Sequence, residues 1–533
     1  MKKTELIKFF LEYGFNVSPD ALEYALDWLS KKKISKEVLK NNIASVRKEI
    51  TVINLEIIKE YLESIDESTI QLSENNKAIS TTDQLKSDIN DVKRSDNIIE
   101  PIMKNFDLHR ATPNLTIQLD IPEKTIQKPE LDAFRKLFQN RFIKLSRILK
   151  ERLGSPETLL KRNLSMNEVP NNRSGIVIGM VQETRVLHTN KFVIQLEDPE
   201  NEITTNCVMV QDSTSFPEYR NIIRDTVIGI SGVLPKDYRE GAITAFWGRD
   251  IIRPSFVPIE FRPTQNAHKI LFLADFHYGS KFFSRSTFAK LIKFLTLINL
   301  KPNTENIASQ IDMIFILGDL IDGVGRFSNQ KDKILFHSLR AQYSGLAKLI
   351  AEIPSSIEII IIPGEHDATQ VALPQPAIDK KSAQDLLALS NVKSHGNPLR
   401  LSIDETKILI FHGQGNDTLF RKNVKSKLFN PILGMQNILE YRHICPEYGS
   451  SIPLAPFNKD YLVINDIPNI FVIGHFHKAQ FQEYKGVKLI SCGTFQQRQH
   501  ETELSPEEEV SLGVFPILDT ANGSVELFDL RSI

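Results

Sequence analysis

The sequence predicts an α/β protein preceded by a small β-barrel and a helical N-terminal module. Three observations predict it. From about residue 266 onward, short apolar runs rich in Ile, Leu and Phe alternate with helical stretches. Between 175 and 260, about five short runs follow one another in a β-like pattern. Residues 1–62 place apolar side chains at helical spacing.

The elements follow in order. Leu6, Phe9, Phe10 and Tyr13 share a helical face that stops at Gly14, and Ser18-Pro19 starts a second helix carrying Leu22, Ala25, Leu26 and Leu29. Ser35 is placed to cap a third. Residues 63–128 read as a flexible linker, because Ser64 to Asn97 is rich in Ser, Thr, Asn, Asp and Lys without an apolar period. A connecting helix is expected within 129–174, over Leu131 to Leu153, stopped by Gly154. In 175–260 the strand candidates are Ile176–Val181, Lys191–Leu196, Val208–Val210, Val227–Val233 and Ala242–Trp247, which suits an OB-fold-like barrel. Such a barrel either binds a single strand or serves as a packed spacer, and Trp247 is expected inside it. In 266–533 the strand candidates are Ile270–Ala274, Met313–Leu317, Ile357–Ile362, Ile408–Phe411, Ile470–Ile473 and Leu489–Ser491. Near-continuous apolar runs of this length are how buried sheet strands read.

Composition narrows the class. The chain has 533 residues, enough for three or four domains, with 41% hydrophobic and 25% charged residues. Its net charge of −1 gives no global basic field, so contact with nucleic acid has to rest on local patches. The three cysteines, Cys207, Cys445 and Cys492, form no CxxC pair, which argues against a disulfide framework or zinc knuckle. No signal-peptide pattern opens the sequence and no run reaches the roughly 18 apolar residues of a membrane span, so a cytoplasmic protein is expected.

The chemistry lies at the strand ends. Ile270–Ala274 runs into Asp275-Phe276-His277, and Met313–Leu317 into Gly318-Asp319-Leu320-Ile321-Asp322. Ile357–Ile362 runs into Pro363-Gly364-Glu365-His366-Asp367, Ile408–Phe411 into His412-Gly413, and Ile470–Ile473 into Gly474-His475-Phe476-His477. In open α/β sheets the C-terminal strand ends are where ligands converge. A lone Asp-x-His is more often a cap or a surface pair, but five such deliveries in succession point to a metal site. Two cations about 3.5–4 Å apart need a bridging carboxylate and further N or O ligands, and they activate a water against a phosphate ester. Mixed imidazole and carboxylate ligands suit Mn, Fe, Ni or Zn.

The order DxH, GDxxD, GxHD, HG, GHxH resembles the calcineurin-like metallophosphoesterase superfamily, over about half the chain. That resemblance implies a β-sandwich flanked by helices. Tyr441-Arg442-His443-Ile444-Cys445-Pro446, Ile452–Pro456, Asp460-Tyr461-Leu462-Val463 and Ser491–Gln496 are similar to the small subunits of archaeal family-D DNA polymerases. The resemblance implies one metal on Asp275, His277, Asp319 and His477, and a second on Asp319, Glu365, His412 and His475, with Asp319 bridging. It implies that His366, oriented by Asp367, assists the leaving oxygen. It further implies 3′→5′ exonuclease (proofreading) activity at DNA 3′ ends with two divalent ions, Mn²⁺ foremost and Mg²⁺, Ni²⁺ or Zn²⁺ as alternatives, and a large catalytic polymerase subunit as partner. Glu365 stands where the superfamily usually has Asn. That departure keeps open a largely structural subunit with a weakened site, and the same site would also serve a metal-dependent phosphatase. Arg421, Lys422, Lys425 and Lys427 either meet DNA phosphates or form a solvated loop.

Overall fold

The computed structural model describes residues 114–122, 130–155, 158–160, 168, 170–212, 222–239, 242, 244–326, 330–415, 417–420, 430–497 and 510–533, with two short strands nearer the N-terminus. The chain divides into two compact units, Met1–Asn105 and Phe106–Ile533. In the first, β1 (Asn16–Val17) pairs in parallel with β2 (Val52–Ile53). The helices expected over 1–62 otherwise lie outside the described residues, as do Arg421, Lys422, Lys425 and Lys427. The second unit holds everything that follows.

Its first element corrects the sequence reading. β3 (Leu115–Leu119) lies inside the stretch expected to be a linker. Leu115, Ile117 and Leu119 alternate with the exposed Thr116 and Gln118, and Leu115 and Ile117 pack on a buried core. The period of two is present in the sequence, but a polar tract dominates the stretch before it. Next comes α1 (Leu131–Arg152), which turns Leu137, Arg141, Phe142, Leu145 and Leu149 inward at spacings of one, three and four.

β4 (Ser174–Val186), β5 (Lys191–Asp198), β6 (Ile203–Asp212), β7 (Val227–Val233) and β8 (Ala245–Ile252) close into a barrel in the order β4-β5-β6-β8-β7. Val177, Val181, Ile194, Leu196, Cys207, Met209, Ile230 and Phe246 belong to its buried core. Trp247, expected inside, is 44% exposed. On β8 the alternation gives the interior to Phe246 and turns its neighbour outward.

A sandwich of two sheets follows. Its strands are β9 (Lys269–Leu273), β10 (Ile311–Leu317), β11 (Glu358–Ile362), β12 (Val392–Ser394), β13 (Leu399–Ile403) and β14 (Thr406–Phe411). They continue with β15 (Ile470–Ile473), β16 (Gln480–Tyr484), β17 (Val487–Ser491), β18 (Val514–Asp519) and β19 (Val525–Asp529). One six-stranded sheet has the order β12-β11-β10-β9-β18-β19, and the other β16-β17-β15-β14-β13-β3. Strand alternation sorts the side chains. Ile270, Phe272, Met313, Phe315 and Leu317 face Leu401, Ile408, Ile410, Ile470 and Val472 between the sheets. Leu271, Leu273, Ile314 and Ile316 face the other way, into a core shared with α2 (Arg285–Leu295) and α3 (Leu339–Ile350). Leu409, Phe411, Phe471 and Ile473 share a third core with α4 (Pro431–Tyr441) and the barrel. Each such side chain contributes about 1.5–3 kcal/mol on burial, so strands buried on both faces are rigid supports.

Helix signals sit where chemistry requires them. Ser284 and Ser338 accept the Thr287 and Ala341 amides at the starts of α2 and α3, and Asn430 accepts the Leu433 amide at the start of α4. No helix among the described residues is long and apolar enough to cross a membrane.

Candidate metal centre

β9, β10 and β11 run parallel in one sheet, and β14 and β15 run parallel in the other. All five therefore present C-terminal ends carrying Asp, His or Glu, and those residues meet. Asp275, His277, Asp319, His475 and His477 take left-handed backbone, with φ of 55°, 49°, 50°, 66° and 55°. For residues with a Cβ that conformation costs about 1–3 kcal/mol each, and such strain gathers at functional sites. Two glycines make the close approach possible. A Cβ on Gly364 would collide with Asp319 Oδ1, and one on Gly318 would lie 2.6 Å from His412 Nδ1.

Each central aspartate divides its oxygens between two tasks. Asp275 Oδ2 accepts the His475 amide at 2.9 Å, and Asp319 Oδ1 accepts the His366 amide at 2.9 Å. The other oxygens face imidazoles. Asp275 Oδ1 lies 3.5 Å from His477 Nε2 and 3.9 Å from His277 Nε2. Asp319 Oδ2 lies 3.4 Å from His412 Nε2, 3.7 Å from His277 Nε2 and 3.8 Å from His366 Nε2. Glu365 Oε2 lies 3.3 Å from His475 Nδ1 and 3.9 Å from His412 Nε2.

The donor atoms of Asp275, His277 and His477 group within 4.8 Å of one another, and so do those of Glu365, His412 and His475. Asp319 groups with His277 and His366 on one side and with Asp275 and His412 on the other. The seven expected ligands are thus brought together as two triads with one carboxylate between them. The fit to cations rests on bare atoms: Asp275 Oδ1, Glu365 Oε2 and His412 Nε2 are buried without a hydrogen-bond partner. Leaving such atoms unmatched costs about 1–3 kcal/mol each, and divalent cations would satisfy all three. His412 Nδ1 is bonded to the Leu317 carbonyl, which leaves Nε2 as the lone-pair donor.

Charge agrees with geometry. Burial opposes ionisation of Asp275 and Asp319, but the surrounding histidines outweigh it and hold both carboxyls below their usual range, Asp319 well below. Burial likewise opposes ionisation of Glu365, and His475 more than offsets it. Burial also opposes charge on His412, yet Asp319, Asp275 and Glu365 push it up to about 10. These carboxylates hold positive charge strongly at the centre.

His366 and Asp367 are placed differently from expectation. His366 Nδ1 is bonded to the Asp322 carbonyl at 2.6 Å, so that carbonyl orients the ring. The Asp367 carboxylate instead accepts the Tyr343 hydroxyl at 2.8 Å and the Gly364 and Leu320 amides at 2.9 and 3.3 Å. Burial and Asp319 push Asp367 up to about 6. It braces the turns on either side of Asp319 rather than the His366 ring.

Sequence reasoning passes over the supporting residues. Asp322 Oδ1 lies 3.4 Å from His277 Nδ1, and its carboxylate accepts Gln330 and Gln496. Asn397 accepts the His412 amide at 3.0 Å and donates to Gln375 and Gln414. The second aspartate of Gly-Asp-x-x-Asp is the available signal for Asp322; the amides carry no local signal.

Two packed sheets with Asp and His delivered from five strand ends define a metallophosphoesterase-type fold. Residues 270–483 match the family of B subunits of DNA polymerases alpha and epsilon. The DNA polymerase II small subunit of Archaeoglobus fulgidus is 29% identical over 94% of this chain and 93% of its own length. That of Methanothermobacter thermautotrophicus is 29% identical over 76% and 80%, and that of Methanocaldococcus jannaschii 30% identical over 75% and 66%. The chain belongs to the archaeal DNA polymerase II small-subunit family. Among solved structures, an archaeal phosphodiesterase aligns over 49% of this chain and 98% of its own at 14% identity, with a TM-score of 0.25.

Proposed function

We propose that this small subunit is a metal-dependent 3′→5′ exonuclease that removes mispaired nucleotides from DNA 3′ ends while bound to a large catalytic polymerase subunit. The observation that carries the reading is the placement of Asp319 between two triads, Asp275/His277/His477 and Glu365/His412/His475. Two divalent ions, Mn²⁺ foremost, would supply a water of lowered pKa and neutralise the phosphodiester. Asp275, His277, Asp319 and His477 would hold one ion, and Asp319, Glu365, His412 and His475 the other. The chain's own residues do the remaining work. His366, fixed through Nδ1 on the Asp322 carbonyl, turns Nε2 toward the cluster. In its cationic form that Nε2–H donates to the 3′ oxygen leaving the phosphorus. The buried walls around Asp319 exclude bulk water and strengthen this donation.

A second reading, a largely structural subunit, is favoured by one contact. Glu365 Oε2 lies 3.3 Å from His475 Nδ1 without hydrogen-bonding it, and that charge attraction competes with a cation for both side chains. The test is degradation of a 3′-mismatched primer in Mn²⁺, run alongside hydrolysis of a small aryl phosphate. Mismatch-stimulated release of nucleoside monophosphates is expected, abolished in Asp319→Ala. Aryl phosphate turnover without DNA cleavage would replace the exonuclease reading with a phosphatase.

A further inference from the structure

A second charged feature lies away from the cluster. A cavity of about 170 Å³ opens at the β3–β13–β14 edge, and Lys144, Arg400, Lys407 and Lys459 are its cationic lining. Lys407 is the second residue of β14 and His412 follows its end, so about five residues, or roughly 16 Å of strand, separate the two features.

The acidic residues facing this cavity leave the charge unbalanced. Asp460 spends its carboxylate on Arg141 at 2.8 Å, His443 at 2.9 Å and the Leu462 amide at 2.9 Å. Asp466 is largely exposed and lies 3.8 Å from Lys407. Among the described residues Lys144 donates its hydrogen bond to the Asp460 carbonyl, at 2.7 Å, rather than to its carboxylate. Lys459 stands 5.6 Å over the Tyr461 ring and makes no hydrogen bond or ion pair among the described residues. Arg400 donates through Nη2 to the Val463 carbonyl, while its Nε is buried without a partner. Burial with neighbouring cations pushes Lys144 down to about 8, and burial pushes Arg400 down to about 10. Cations crowded at such cost, one with an unmatched guanidinium nitrogen, need an anion to balance them.

Pockets for whole small molecules run to roughly 300–1,000 Å³; this cavity is smaller and has room for a phosphate group. We propose that the Lys144–Arg400–Lys407–Lys459 cavity is a phosphate-binding subsite. Arg400 supplies the directed donors, and Lys407 and Lys459 close over the group from the exposed side. The phosphate comes either from the backbone of a DNA strand or from free phosphate.

The test uses the full chain in EDTA, so that the metal centre contributes nothing. Inorganic phosphate binding is followed by phosphorus NMR line broadening, and a fluorescein-labelled oligothymidylate by anisotropy across salt. The Lys407→Ala/Lys459→Ala variant carries the charge change on exposed side chains. Arg400→Lys keeps the charge and removes the fork. If the group is a strand phosphate, the double variant weakens the oligonucleotide tenfold or more. It also lowers the salt slope by about 0.7, the share of one phosphate on a single strand. If the group is free phosphate, both variants lose phosphate broadening while oligonucleotide binding stands. Unchanged broadening and an unchanged salt slope in both variants would overturn the proposal.

Discussion

Arg141 on α1 is the clearest place to perturb the fold. It is fully buried and spans two parts of the second unit. Nε donates to Asp460 Oδ2 at 2.8 Å, and Nη1 donates to the Pro446 carbonyl at 2.5 Å and to the Asp225 carbonyl, ahead of β7, at 3.1 Å. Phe142, Leu145 and Leu149 beside it pack on Ile178, Met180 and Val227 of the barrel and on Val463 beyond it. Arg141→Met keeps much of the volume and removes every donor. Asp460 would then be a buried carboxylate facing a neutral His443 and one amide. Removing one partner of such a pair costs about 3–5 kcal/mol. Asp460→Asn strands the guanidinium instead, at a similar cost. The double variant leaves no uncompensated charge and should cost less than the sum of the singles by at least about 1 kcal/mol. Urea unfolding of all four proteins measures the cycle. A loss under about 1 kcal/mol for Arg141→Met, or strict additivity, would refute the claim that this ion pair joins α1, the barrel and the sandwich.

Three further predictions concern acid, approach and proton transfer. Burial and Arg141 push His443 down to about 4, so the folded chain keeps it neutral while the unfolded chain protonates near 6.5. Stability contributed by this group is therefore lost as pH falls from about 6.5 to 4, and His443→Gln should flatten the slope of the urea midpoint in that window. Gly364→Ala pushes a methyl group onto Asp319 Oδ1 and should weaken Mn²⁺ binding at least tenfold by calorimetric titration, with helix content unchanged by circular dichroism. His366→Ala should lower the cleavage rate by about 10²–10⁴ while Mn²⁺ affinity changes less than threefold, because the role proposed for it is proton donation; equal losses in both would make it a ligand.

The Asp and His cluster of the candidate metal centre is legible in the sequence because two local signals coincide there. Buried parallel strands read as unbroken Ile, Leu and Phe runs, and Asp275, Asp319, His412, His475 and His477 stand within four residues of their ends. The barrel strands are legible for a similar reason, but Trp247 is not, because face on a short strand depends on which neighbour wins the interior. β3 is obscured by the polar tract before it, since its alternation spans only five residues. The bracing of the site is not legible at all. Arg141 meets Asp460 across 319 positions, and Asn397, Gln375 and Gln414 form one network only after β13 and β14 are placed. The family resemblance implies Asp367 as the partner of His366, but in the turn after β11 its carboxylate bonds Tyr343 and the backbone instead.

The most direct test of a two-metal nuclease is Mn²⁺ binding and cleavage rate measured on the same sample. Two bound ions per chain are expected, with a cleavage rate on mismatched 3′ ends that rises with the second, and loss of both in Asp319→Asn. Fewer than one ion per chain under saturating Mn²⁺, or cleavage that persists in EDTA, would contradict it.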